Sequence, residues 1–157
     1  MARRRRAEHR EVLPDSLYEN VLVGRLINTV MERGKKSTAS KIVYGAIDMV
    51  NEGSGNSNPL EIFNRAIENA KPKIEVKSRR VGGATYQIPM EVPQERQVAL
   101  AVRWMVDSAL KRKGIPMKKA LAMELKEAAA GQGNAIKKRD DVHRMAQANR
   151  AFAHLRW

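Results

Sequence analysis

Cysteine is absent from this chain of 157 residues, which excludes disulfides, zinc-thiolate sites, thiol nucleophiles and thioether-linked haem, and suits a reducing compartment. Aromatic residues are scarce: two Trp, three Tyr and two Phe stand against eight Met. Packing must therefore come from Ile, Val, Leu, Met and Ala, a set that suits helices better than a sandwich. Long apolar runs are also missing. No stretch approaches the ~18 residues of a membrane span, and no N-terminal run resembles a signal segment, so a soluble protein is expected. His9, His143 and His154 lack metal-ligand spacing, and no serine sits in a nucleophile-elbow context. Gly34-Lys35-Lys36-Ser37 looks superficially like a phosphate-binding loop, but Thr29 stands where its first glycine belongs and Lys36 where Ser or Thr would hold magnesium. No metal, cofactor or catalytic group is called for.

Basic charge is abundant. Thirty Lys and Arg against 17 Asp and Glu give a formal net charge of +13, and the placement of that charge points to a polyanion. Arg3, Arg4, Arg5, Arg6 and Arg10 form an arm that ends at Pro14 and has too few apolar residues to fold alone, so it is expected to order only on a partner. Lys71, Lys73, Lys77, Arg79 and Arg80 surround a predicted hairpin, and Lys137, Lys138 and Arg139 precede the predicted last helix. No basic segment is also an amphipathic helix with an aromatic or Leu face, which argues against a membrane partner.

Apolar spacing predicts six helices. Ser16 with Glu19 makes a capping box for the first, whose Leu22, Leu26, Ile27, Val30 and Met31 recur at helical spacing until Gly34; Lys35 and Lys36 would then sit beyond its C-terminus. Ser37 to Glu52 carries a second stripe, and a turn-rich loop follows from Gly53 to Asn58. Asn58, Pro59 and Glu61 start a third helix that Pro72 stops. Pro93 opens a fourth that ends near Gly114. Met117 to Gly131 holds the fifth, and Val142, Met145, Ala146, Asn149 and Phe152 mark a sixth with Asp140 and Asp141 in its first turn. Glu124 and Glu127, beside Lys126, read as a solvated salt-bridging face.

Between Lys73 and Val92 the period changes to two, around Gly82 and Gly83, which predicts a β-hairpin; Pro89 argues for an edge position. Ile74, Val76, Ile88 and Met90 are expected to form one apolar face at the root. Lys77, Arg79, Arg80, Gly82, Gly83 and Tyr86 make a basic tip, where arginines fork onto phosphates and Tyr86 offers a ring to an unpaired base. A solvated hairpin with edge-protecting charges is the plainer alternative. The expected fold is mainly α: a six-helix, bundle-like body over 15–157, with an extended two-stranded antiparallel hairpin arm at about 73–92, preceded by a disordered basic arm over 1–14.

Three stretches carry a resemblance. They are Lys71-Pro72-Lys73-Ile74-Glu75-Val76-Lys77-Ser78-Arg79-Arg80-Val81-Gly82-Gly83 with Thr85-Tyr86-Gln87-Ile88-Pro89, then Gly34-Lys35-Lys36, then Asp141-Val142-His143-Arg144-Met145-Ala146 with Ala148 to His154. On these the chain resembles, essentially from end to end, the bacterial small-subunit ribosomal protein seven family. Arg33 stands where an acidic residue is common there, and Leu155 where Tyr is frequent. The resemblance implies a cytoplasmic, non-catalytic constituent of the small subunit. Such a protein binds the 3′ major domain of 16S ribosomal RNA, nucleates the subunit head among neighbouring head and platform proteins, and lies beside the exit-site tRNA and mRNA. It implies ribosomal RNA contacts at Arg3 to Arg6, Arg10, Lys35, Lys36, Lys73, Lys77, Arg79, Arg80 and Arg96, and tRNA contacts at Val81, Gly82, Gly83, Arg144 and Asn149. The rival from the residues alone is an architectural DNA-binding protein whose hairpin enters a minor groove, although the tip offers Val81 rather than a Pro, Phe or Met wedge. An RNA-modifying enzyme would need a cofactor loop or acid/base pair that the sequence does not display.

Overall fold

A computed structural model describes residues 12–52, 58 and 60–155. The basic arm with Arg3 to Arg6 and Arg10, the 53–57 loop, Pro59 and the last two residues lie outside the described set. The elements run α1 (Val21–Val30), α2 (Lys36–Asn51), α3 (Glu61–Ala70), β1 (Ile74–Val81), β2 (Ala84–Glu91), α4 (Gln94–Leu110), α5 (Met117–Ala129) and α6 (Asn134–Ala148), then a 3₁₀ helix (Arg150–Leu155). Mainly helical with one antiparallel hairpin, the architecture is the one the sequence predicts.

The core is aliphatic, as the scarcity of aromatics requires. Helix α5 packs against α2, α3 and α4, burying Leu121 and Leu125 against a cluster that includes Leu26, Val43, Ile47, Phe63, Ile67, Val102 and Met105, none more than 2% exposed. Each such side chain stabilises the fold by about 1.5–3 kcal/mol relative to exposure, before the entropy of ordering it. The periodic residues read from α2, α4 and α5 face this core.

Several local expectations are corrected. α1 starts at Val21, because the Asn20 side chain accepts the Leu22 and Val23 N–H groups, at 2.7 and 3.4 Å. The predicted Ser16–Glu19 capping box does not form. Asp15 instead accepts the Leu17 and Tyr18 N–H groups and the Tyr44 hydroxyl, the last at 2.6 Å, which pins a turn before α1. That bond is the main reason the Tyr44 pKa rises above its ordinary value. α1 ends at Val30 with Met31 extended, so Lys35 and Lys36 do not follow a helix C-terminus: they open α2. α6 begins at Asn134, which puts Lys137 to Arg139 and Asp140 to Asp141 within it rather than before it or in its first turn. Its Met145 is 46% exposed; Ala135, Ile136 and Ala146 make its buried face.

Glu124 departs furthest from expectation. It is fully buried rather than solvated, accepting Arg112 Nη2 at 2.7 Å and the Ala135 N–H at 2.8 Å. Ala135 is the second residue of α6, where N–H groups lack intrahelical partners, so Glu124 serves as a cap supplied by another helix. Glu127 shares the same Arg112 nitrogen at 2.5 Å, and the two carboxylates, Glu127 first, raise the Arg112 pKa further.

Candidate nucleic-acid interface

A two-residue turn at Gly82-Gly83, with φ of +56° and +92°, closes the hairpin in the left-handed geometry that glycine adopts without strain. Register then fixes the faces. Glu75 pairs with Met90, Lys77 with Ile88, Arg79 with Tyr86 and Val81 with Ala84, and directly opposed residues share a face. One face thus carries Glu75, Lys77, Arg79, Tyr86, Ile88 and Met90; the other carries Ile74, Val76, Ser78, Arg80, Thr85, Gln87, Pro89 and Glu91. The single apolar face expected for Ile74, Val76, Ile88 and Met90 does not exist. A two-residue turn puts the odd positions of β1 beside the even positions of β2, so the two apolar pairs fall on opposite sides. Ile88 is fully buried, whereas Ile74 is 40% exposed. Arg79 and Arg80 likewise point to opposite faces, which gives the arm basic groups on both sides. Pro89 escapes the ladder: the Val92 N–H to Lys73 carbonyl bond at 3.0 Å sets the alternation, and Pro89 falls three residues away on a non-bonded position.

Glu75 shares the face of Ile88 and is 8% exposed. Its oxygens accept Arg96 Nε at 2.9 and 3.0 Å, with Lys77 Nζ at 3.6 Å. Arg96, from α4, is thereby tied to the hairpin root. It also lines a groove of about 520 Å³ between α1 and α4, together with Arg25, Asn28, Thr29 and Arg103. Glu75, Arg25 and Arg103 escaped the reading of the sequence. The signal was present: Arg96, Ala99 and Arg103 recur at helical spacing, as do Arg25, Asn28 and Thr29, but each arginine was isolated in sequence rather than part of a run.

Asn28 and Thr29 extend this surface toward the start of α2. Lys36 lines an adjoining cleft with Asn28, and Lys35 lines another with Thr29. Both lysines are exposed, no side chain caps α2, and no acidic residue occupies its first turn. Cations at that end oppose the helix dipole, and a phosphate placed there would satisfy both the free N–H groups and the lysines. Basic groups thus recur along adjoining clefts, from Lys35 and Lys36 past Arg25, Arg103 and Arg96 to Lys77 and Arg79, with Asp15, Glu32, Glu95 and Glu75 interspersed.

The residues assigned to tRNA lie elsewhere. Val81, Gly82 and Gly83 form the hairpin tip, where both glycines are exposed. The Arg144 side chain, on α6, is 80% exposed and lies 3.7 Å from Asp141. Asn149 caps α6, donating through Nδ2 to the Met145 carbonyl at 2.8 Å. Tyr86 is half-buried: its ring meets Phe152 of the 3₁₀ helix, with centroids 5.3 Å apart and planes tilted by 53°, and so clips the hairpin to the C-terminal segment. Exposed Lys73 gives its backbone N–H to His143 Nε2 at 3.0 Å.

Comparison with known proteins adds an independent line. The sequence profile of the family described as Ribosomal protein S7p/S5e matches residues 2–150. The Small ribosomal subunit protein uS7 of Akkermansia muciniphila is 61% identical over 157 residues, the whole of both chains. The protein of that name from Thermotoga petrophila is 59% identical over 155 residues, 99% of each chain, and that from Azorhizobium caulinodans is 55% identical over 157 residues, the whole of both.

Proposed function

The chain belongs to the Ribosomal protein S7p/S5e family, and from that premise we propose that the basic surface running from α2 to the hairpin is its seat on 16S ribosomal RNA. As a family member it is a structural, non-catalytic constituent of the small ribosomal subunit, and the bacterial cytoplasm is its place of work. The succession of cations along adjoining clefts carries the finer reading: Lys35 and Lys36 at a helix start, Arg25, Arg96 and Arg103 in one groove, and Lys77 and Arg79 on one hairpin face. The groups are matched to phosphate rather than to base edges. Shape and backbone contacts, not sequence readout, then position the protein, as expected for folded RNA with a deep, narrow major groove.

On this reading the RNA is the 3′ major domain. The helical body fixes the register, and binding there nucleates the subunit head, where neighbouring ribosomal proteins join. Arg3 to Arg6 and Arg10 add charge from the N-terminal arm, and Lys73 and Arg80 reach RNA from the hairpin's root and second face. The tip at Val81, Gly82 and Gly83, with Arg144 and Asn149 on α6, faces exit-site tRNA and departing mRNA. Architectural DNA binding is less well supported. The tip carries two glycines and Val81, no wedge to unstack a base step, and Tyr86 is already packed on Phe152.

A salt titration of binding to a transcript of the 3′ major domain tests the assignment. Each phosphate neutralised steepens the log-log slope by roughly 0.7–0.9, so removing Arg96 and Arg103 together should flatten it by about 1.5. An unchanged slope in that double variant would take the α1–α4 groove out of the interface.

A further inference from the structure

We propose that Arg139 and His143 are positioning residues that fix the direction in which the hairpin leaves the body, and that protonation of the His143 imidazole releases this hold. The inference rests on the hairpin being an RNA-binding arm, as proposed above, but its geometry stands apart from that reading.

Only Lys71, Pro72 and Lys73 separate α3 from β1. Two side chains of α6, one helical turn apart, grip both ends of this connector. Arg139 donates from Nη1 to the Asn69 carbonyl, one of the last carbonyls of α3 that lack an intrahelical partner. Arg139 is itself braced by Asp140, which accepts from Nε at 2.8 Å and from Nη2 at 2.6 Å. At the other end His143 Nε2 accepts the Lys73 N–H at 3.0 Å, and the carbonyl of the same Lys73 receives the Val92 N–H at 3.0 Å, the first rung of the hairpin. The Lys73 residue is therefore held by α6 on one side and by the ladder on the other. From Lys73 to Val81 the strand reaches about 26 Å at roughly 3.3 Å per residue. The Glu75–Arg96 pair and the Tyr86–Phe152 contact brace the hairpin further along, and the chain direction at Lys73 is what brings them together; a rotation of about 10° at the root that loosens them moves the tip by some 4–5 Å, more than a phosphate contact tolerates.

The hold at Lys73 depends on a neutral ring. Nε2 accepts only when the proton sits on Nδ1; an imidazolium has no acceptor and would turn a second N–H against that of Lys73. The charged groups around it are Arg139 and Asp140 on α6, Lys73 on the connector, and, lining the same cleft of about 580 Å³, Glu91 of β2 and Arg150 of the 3₁₀ helix. Burial, then Arg139, depress the His143 pKa below the ordinary 6.5, Lys73 acts in the same direction, and Asp140 opposes them. The ring is thus neutral at pH 7 and above, and the bond is intact there. Because the folded-state pKa lies below the unfolded one, the unfolded chain binds more protons in the window beneath 6.5. The contribution of this contact is complete above that value and is lost as pH falls through the folded-state pKa.

The absence of native cysteine makes a direct test simple. Cysteines placed at Thr85 near the tip and Lys126 on α5, both exposed, carry spin labels whose separation is read by pulsed electron resonance in the full chain. At pH 7.5 a narrow distance distribution is expected; at the acid pH where the nitrogen shifts of the His143 ring report the imidazolium, it should shift or broaden by about 5 Å, the tip displacement estimated for a small root rotation. In His143→Phe the distribution should be broad at both pH values, which separates His143 from the other histidines. Nitrogen chemical shifts of the His143 ring, read without any variant, should report the Nδ1–H tautomer at pH 7.5. A wild-type distribution unchanged by pH, or an Nε2–H tautomer, would overturn the proposal. Binding to the 3′ major domain transcript is measured on the same samples. A pH-sensitive tip without RNA affinity would refute the RNA reading and spare the hold, whereas RNA binding with a rigid tip would do the reverse.

Discussion

Replacing Glu124 with Ala should be among the most damaging single changes in the body. The wild-type carboxylate is completely buried and makes two bonds, to Arg112 Nη2 at 2.7 Å and to the Ala135 N–H at 2.8 Å. Alanine leaves the first turn of α6 without its cap and a guanidinium only 17% exposed with Glu127 as its remaining carboxylate. Breaking a buried pair from one side costs about 3–5 kcal/mol, and the surviving Glu127 contact places this case near the lower figure, about 3 kcal/mol. At an unfolding entropy of roughly 2.1 cal/mol/K per residue, a chain of this length loses about 9 °C of melting temperature for that amount. Thermal unfolding followed by circular dichroism reads it directly. Glu127→Ala is the control, since its side chain is 37% exposed and its loss should cost about 1 kcal/mol or less, near 3 °C. Equal shifts in the two variants, or a fall below about 3 °C for Glu124→Ala, would refute the reasoning.

Other outcomes follow from the same geometry. Arg79→Ala with Arg80→Ala should weaken RNA binding by tenfold or more, about 1.4 kcal/mol, while the melting temperature moves by less than about 3 °C; a collapse in stability would make the arginines structural. Gly24→Ala would place a Cβ 2.8 Å from the Leu13 carbonyl oxygen, a backbone atom, so the segment ahead of α1 must shift at a cost of about 1–3 kcal/mol, measurable in urea. Tyr18 donates to Asp48 at 3.2 Å, and burial followed by the Asp48 charge raises its pKa to about 12. Its ionisation, followed by ultraviolet absorbance, should fall near 12 rather than at the ordinary tyrosine value of 10. Because the folded pKa is the higher one, the associated stability is present below pH 10 and is lost as pH rises toward 12.

Much of this molecule could be read before any coordinates. Helical periodicity located α2, α4 and α5 with their buried residues, because an amphipathic stripe is a local signal. The glycine pair and the period of two located the hairpin for the same reason. What failed depended on register or on distant partners. The face occupied by Ile74 and Val76 is set by turn parity, which the alternation within one strand does not reveal. Glu124 sits in a lysine-rich stretch that reads as surface, and only the approach of Arg112 and Ala135 from other elements explains its burial. The start of α1 was misplaced because Asn20 competes with Ser16 as a cap, and Asp15 was already engaged by Tyr44. At the candidate interface, clustered cations such as Lys35, Lys36, Arg79 and Arg80 were legible as runs. Arg25 and Arg103 were not, since they meet only when α1 and α4 pack. The contact of the Tyr86 ring with Phe152, far along the chain, was likewise not legible in the local pattern.

The central claim is that the basic surface recognises folded ribosomal RNA rather than polyanions in general. The most direct test is a competition gel shift at near-physiological salt with magnesium, between a transcript of the 3′ major domain and a bent or nicked DNA duplex. A preference for the transcript of about 100-fold or more is expected, beyond what charge alone supplies. Equal competition by the duplex would contradict it.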